Sequence, residues 1–175
     1  MHTRIATILC ATTLASACTE SFDPVIQQHS ATSECGGFAA ESGKRSSADY
    51  CDAEMLYWQY DGVNQTLSID NDRILHNCCG EHSMTVSEAD GVYVVTERDA
   101  PEFGDARCGC TCVFDFSVTA VGIPAGVIPL RIIRDVTDAG EPVTVLDETI
   151  DLDAGSGSFI IDPQPTDWCG DGPGA

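Results

Sequence analysis

Cys108, Cys110 and Cys112 alternate along the chain, and the alternation continues through Phe114, Phe116, Val118 and Ala120. Residues two apart in an extended strand share one face. The other face, from Gly109 to Val121, is mostly polar. The spacing predicts a strand over 108–121 whose buried apolar stripe begins with three sulfurs. A disulfide needs Cα atoms about 4.4–6.8 Å apart. Positions i and i+2 of a strand lie at the outer limit of that range. Each cysteine of the trio is therefore expected to bridge to another segment.

Ten cysteines in 175 residues point to an oxidising compartment or a metal site. The N-terminus favours the compartment. Arg4 precedes an uncharged apolar run, Ile5 to Ala15. That run is too short for a membrane span, which needs ~20 apolar residues. It suits the core of a secretory signal over residues 1–17. Ala15-Ser16-Ala17-Cys18 permits cleavage after Ala17 by ordinary signal peptidase. It also resembles the lipobox of bacterial lipoproteins, in which Cys18 is lipidated and becomes the first residue. Ala15 stands where that motif usually has leucine, and Leu14 sits one place early.

Cysteine parity favours lipidation. Loss of residues 1–17 removes Cys10 and leaves nine cysteines, one of them unpaired. With Cys18 acylated, eight remain: Cys35, Cys51, Cys78, Cys79, Cys108, Cys110, Cys112 and Cys169. Several acyl chains together anchor far better than one. In Gram-negative lipoproteins an aspartate after the cysteine favours inner-membrane retention, and here Thr19 follows. The resemblance thus implies export and outer-membrane sorting, facing the periplasm or the cell surface.

Charge narrows the partners. Lysine plus arginine number 8 and aspartate plus glutamate 28, for a net charge of -20. Arg4 is the only charge lost with the signal, which makes the mature chain -21. Such a surface repels nucleic acid and anionic lipid. The expected membrane attachment is the lipid on Cys18, not electrostatics.

Residues 18–50 are rich in Gln, Ser and Gly and poor in periodic apolar residues, which reads as a lipidated N-terminus and disordered tether. From Cys51 onward the hydrophobic period is two. Met55–Tyr60, Gln65–Asp70, Arg73–Cys79, Ser83–Ser87, Val92–Thr96, Val127–Val136, Val143–Leu152 and Ser158–Asp162 join the cysteine strand as candidate strands. Turns are expected at Asp61–Asn64, Asn71–Asp72, Glu88–Gly91 and Asp138–Gly140. Pro129 suggests an edge strand, because proline cannot donate to a ladder. The pattern predicts an all-β fold: a disulfide-stapled antiparallel β-sandwich, Ig-like or Greek-key, over residues 51–162, with a C-terminal tail over 163–175.

Cys78 and Cys79 are adjacent, so in a strand they would face opposite ways unless Gly80 helps to form a turn. Their candidate partners are the Cys108–Cys112 trio. The Cys35/Cys51 leader and Cys169 are the other candidate partners of that trio. A second reading groups His76, Cys78, Cys79, His82, Cys108, Cys110 and Cys112 as soft ligands for zinc or copper. The spacing is not the paired Cys-x-x-Cys of structural zinc, and disulfides are the default in an oxidising compartment. No cofactor is expected on the first reading.

Asn77-Cys78-Cys79, followed by Cys108-x-Cys110-x-Cys112-x-x-Asp115, resembles a group of small bacterial lipoproteins and secreted proteins that share both patterns. Tyr60-Asp61-Gly62, Leu67-x-Ile69 and Val92–Glu97 extend the resemblance over residues 51–135. Many of those relatives have proline after the trio, where this chain has Val113. The resemblance implies export and a β-rich fold, and no chemistry comes with it.

The pairs Asp70/Asp72 and Asp151/Asp153 lack the distal glutamate of a calcium loop. No nucleophile elbow, zinc-protease helix or phosphate loop occurs. Tyr57, Trp58, Tyr60 and Trp168 read as core aromatics before they read as a ligand surface. The expected function is a non-catalytic envelope protein, structural or recognising an unknown protein or envelope component.

Overall fold

The computed structural model describes residues 26–38, 52–102, 104 and 106–164. The signal segment, Cys18, Cys51, Trp168, Cys169 and most of the expected tail lie outside the described residues.

Two sheets face each other. One runs in the order β1-β6-β3-β2-β9, from Gln27–Thr32 (β1), Thr111–Val121 (β6), Thr66–Asn77 (β3), Glu54–Asp61 (β2) and Ser156–Asp162 (β9). The other runs β4-β5-β7-β8, from Glu81–Ala89 (β4), Val92–Ala100 (β5), Val127–Val136 (β7) and Val143–Asp151 (β8). The expected sandwich is thus the fold. All the pairings are antiparallel except β5 with β7, which run parallel. The chain leaves β5 to build β6 in the facing sheet and returns to build β7. Such a crossover brings two strands of one sheet back in the same direction.

The inward faces follow the period of two. Leu56, Trp58 and Tyr60 of β2 meet Val86, Tyr93 and Val95 of the other sheet within one core, along with Phe116 and Val118 of β6. The Tyr60 hydroxyl donates to the Ile123 carbonyl at 2.8 Å, so the buried phenol has a partner. Asp90 and Gly91 turn the β4–β5 hairpin with φ of 53° and 77°, the left-handed pair that a two-residue connection needs.

Four local expectations change. The first concerns the tether: its residues 27–32 form β1, an edge strand laddered on β6. Backbone bonds hold it there, with Gln28 accepting from the Val86 N–H and Thr32 donating to the His82 carbonyl of β4, and its largely exposed side chains carry no apolar signal. The second is the turn placed at Asn71–Asp72, which is a bulge inside one long strand, β3. Register slips there, and Arg73 takes φ 68°. An extra residue reverses the parity, so Asn71 points inward before the bulge and Ile74 and His76 after it.

The third concerns Pro129, which lies in an internal strand. The ladder with β5 begins only at Leu130, so the missing N–H costs no bond on that side. The fourth is the cysteine strand, which begins at Thr111 rather than Cys108. Cys112 heads the buried stripe, while Cys108 and Cys110 lie in the approach to it.

Candidate functional site

The sandwich has two unlike halves. One is packed with aliphatic and aromatic side chains. The other, at the end where β3 and β5 finish and β4 and β6 begin, holds buried charges. β5 shows the change within one strand: its inward positions read Tyr93, Val95, Glu97, Asp99. A buried carboxylate is costly unless paired and hydrogen-bonded. Both of these are paired.

Glu97 and Glu54 share two partners. The Asn71 amide donates to Glu54 Oε1 at 2.9 Å and to Glu97 Oε1 at 2.5 Å. Arg134 Nη2 donates to Glu54 Oε1 at 2.5 Å and to Glu97 Oε2 at 2.8 Å. Burial pushes the Glu97 carboxyl above its usual range, with Arg134 and Asn71 opposing that shift and Glu54 adding to it. Burial works against the charge of Arg134, and the two carboxylates more than restore it.

Asp99 gathers a second group. It accepts a charge-assisted hydrogen bond from Arg107, which also pairs with Asp138 at the surface. His76 Nδ1 lies 3.6 Å from Asp99 Oδ2, and His82 Nε2 lies 3.3 Å from Asp99 Oδ1. The His82 contact is close enough for attraction but off the line of a hydrogen bond, and the Nε2 atoms of both rings lack hydrogen-bond partners. The imidazoles stack at 5.6 Å, with planes 6° apart, against Phe114 and Phe116 of β6. Burial holds the His76 pKa down to about 3; Arg134 adds to the effect and Asp99 opposes it. His76 is neutral at pH 7.

The cysteines close this end. Cys78 pairs with Cys110, Cys79 with Cys108, and Cys35 with Cys112, at Cα separations of 5.6, 5.4 and 5.4 Å. Three disulfides among the described residues mark an oxidising, extracytoplasmic environment. The chain leaves β3 at Asn77, so Cys78 and Cys79 follow the strand and reach neighbouring partners in turn. Asn77 holds the two bridges in line. Its amide donates to the Cys108 carbonyl at 2.8 Å, and its oxygen accepts from the N–H groups of Cys79 and Cys108 at 3.0 and 3.2 Å.

Cys35 brings the leader onto β6 over Asp115. That side chain belongs to the outward parity but is buried, because residues 33–38 cover it. Asp115 accepts from the N–H groups of Phe38 and Arg73 at 2.9 and 3.0 Å. Its own N–H donates to the Ser33 hydroxyl at 2.9 Å.

The residues grouped as soft metal ligands thus divide. Among the described residues, the one set of three potential ligand atoms within 4.8 Å of one another is Cys78, Cys79 and Cys108, and those sulfurs sit in disulfides. The two histidines lie between the sheets and turn to Asp99. Glu54, Asn71, Glu97, Asp99, Arg107 and Arg134 were not singled out from sequence. One signal was available: extending the inward parity of β5 past Thr96 carries Glu97 and Asp99 into the core. The residues that neutralise them come from β7 and from a loop, a distance only folding closes. Comparisons with protein-family models, with curated proteins and with solved structures give no match to this chain.

Proposed function

We propose that this protein is an exported, lipid-anchored, non-catalytic component of the cell envelope that recognises a partner or supports envelope structure. The observation that carries the reading is the closed end of the sandwich, where three disulfides lock a network of charges that satisfy one another. Asp99 is occupied by Arg107 and two imidazoles; Glu54 and Glu97 are occupied by Arg134 and Asn71. Groups committed in this way stabilise one packing arrangement and leave little free for acid–base work. The lipobox resemblance at Cys18 supports a lipid anchor, and Thr19 after it supports outer-membrane sorting. Intact mass of protein extracted from membranes tests it: an acylated chain starting at Cys18 is expected, and a soluble unmodified product would overturn the anchor.

A second reading, a zinc- or copper-binding envelope protein, rests on the proximity of the Cys78, Cys79 and Cys108 sulfurs and requires them to be thiolates instead of the two disulfides. Protein purified without added metal would then hold near-stoichiometric metal and several free thiols. Alkylation before and after reduction, mapped by peptide, decides between the two readings.

A further inference from the structure

The outer face of the five-stranded sheet is built differently from an ordinary solvated face. The register sets its side chains in rows across the strands. One row runs Ser158, Tyr57, Asp70, Ser117 from β9 to β6, and the next runs Ser156, Gln59, Ser68, Thr119. Asp61 and Thr66 begin a third. In the first two rows each of these positions holds a hydroxyl, an amide or a carboxylate, while apolar Val121 continues the third and Met55 and Ile160 form the row on the other side of Tyr57. Tyr57, the aromatic of the first row, is 41% exposed although it stands at the centre of its strand.

The face also carries two shallow, open depressions. One depression of about 500 Å³ lies between Tyr57 and the small Ser156-Gly157-Ser158 stretch of β9, with Asp70 and Gln59 on its lining. A second, of about 410 Å³, continues from Gln59 to Asp61, Asn64, Thr66 and Ser68. Gln59 lines both, so the two lie side by side as a shallow trough across β9, β2 and β3. Gly157, between the two serines, faces the core side opposite Trp58 and meets the trough only through its backbone. A Cβ there would sit 2.6 Å from Trp58 Nε1, so no side chain fits beside the indole.

The chemistry of the lining selects the occupant. Serine, threonine and glutamine each offer both donor and acceptor and Asp70 offers acceptors only, while Asp61 already accepts from Val63 and Asn64 and Ser68 bonds to Thr119. A ligand crowded with hydroxyls, each donor and acceptor at once, matches that set. A planar aromatic beside such groups presents an apolar face to the C–H side of a sugar ring. Among the described residues, no lysine or arginine lines either depression, and Asp61 and Asp70 do. With a net charge of -20 on the chain, the trough repels anionic polymers. It also lacks the buried apolar pockets that anchor protein partners.

We infer that the trough spanning Tyr57, Gln59, Asp70 and the Ser156–Ser158 stretch binds a neutral or amino-bearing glycan chain. This deepens the recognition half of the proposed function and does not depend on the lipid. Tyr57 stacks on a ring, Asp70 and Gln59 take its hydroxyls, and the second depression extends the site to the next sugar unit.

The test uses the mature, disulfide-intact protein in detergent, titrated with cello-, xylo-, manno- and chito-hexaose and with the chitosan hexamer. Saturable binding by at least one is expected. Tyr57→Ala should weaken it at least tenfold and Asp70→Ala about fivefold, with far-UV circular dichroism unchanged. Ser87→Ala, on the outer face of β4, should leave it unaltered. Absence of binding by every oligosaccharide at millimolar concentration would overturn the inference, as would binding indifferent to Tyr57→Ala. Acylation at Cys18 is read separately by mass, so loss of the glycan site would leave the anchor standing, and the reverse.

Discussion

His76 and His82 stack face to face, 5.6 Å between ring centroids, and approach the same carboxylate, Asp99. Neither ring is placed there by a helix or a local motif. β3 delivers one and the start of β4 the other, and the Asn77–Gly80 corner between them sets the spacing. Burial keeps His76 neutral in this arrangement.

That condition predicts an acid-dependent loss of stability. The folded pKa of His76, about 3, lies below its unfolded value of 6.5. The unfolded chain therefore binds more protons between those values, and stability falls as pH drops through that window. His76 should account for a loss of about 3 kcal/mol between pH 7 and pH 4. Glu97, whose folded pKa is raised, acts in the opposite sense: protonation on acidification favours the folded state. Urea unfolding of wild type and His76→Phe across this range isolates the histidine, because Glu97 is common to both. Parallel stability–pH curves for the two proteins would refute the assignment.

The Arg134 group gives a prediction of another kind. Arg134→Met leaves Glu54 and Glu97 buried without their cation and should cost about 3–5 kcal/mol. Adding Glu54→Gln and Glu97→Gln removes both charges yet keeps an acceptor for the Asn71 amide. The triple variant should recover most of the loss in denaturant unfolding. A triple variant as unstable as Arg134→Met would mean that packing, not charge, sets the cost.

Asn77 should matter beyond its size. Three hydrogen bonds from one carboxamide hold the paired disulfides in line. At about 0.5–1.5 kcal/mol each, Asn77→Ala should lose about 2–3 kcal/mol. Removing the Cys79–Cys108 bridge by double alanine substitution should lose about 3–4 kcal/mol, given its separation of 29 residues. In the triple variant the losses should fall short of additive, since both act on the same corner. Full additivity in thermal or urea unfolding would place Asn77 outside the bracket.

Gly37 tests the cover over Asp115. It holds φ +82°, and a Cβ there would meet Asp115 Oδ2 at 2.5 Å. Gly37→Ala should destabilise by about 2–3 kcal/mol, combining backbone strain with a clash. Gly91 has a similar φ of +77° with nothing within 4 Å, so Gly91→Ala should show the backbone part alone. Equal losses in the two variants would show that Asp115 gives way freely.

Much of the fold was legible because burial writes a period of two into a strand. The hairpins at Asp90–Gly91 and Asp138–Gly140 were legible because tight connections need particular residues. β1 was not, since an edge strand held by backbone bonds needs no apolar pattern. The bulge at Asn71–Arg73 looked like a turn because both use polar residues at a break in the alternation. The parallel β5–β7 pair depends on a crossover through the facing sheet, which no local pattern records.

The sequence by itself determined the all-β class, the two-sheet architecture and the need for cysteines to bridge between segments. These follow from side-chain periodicity and from the reach of a disulfide. Only the tertiary structure decided that Cys78 meets Cys110, Cys79 meets Cys108 and Cys35 meets Cys112. It alone brought Arg134 to Glu54 and Glu97, Arg107 to Asp99, and two histidines face to face. The reason is physical. A buried charge is tolerable only beside its partner, and the partners here lie up to 80 residues apart in the chain. Periodicity says which way a side chain points; only the closed sandwich says what waits there.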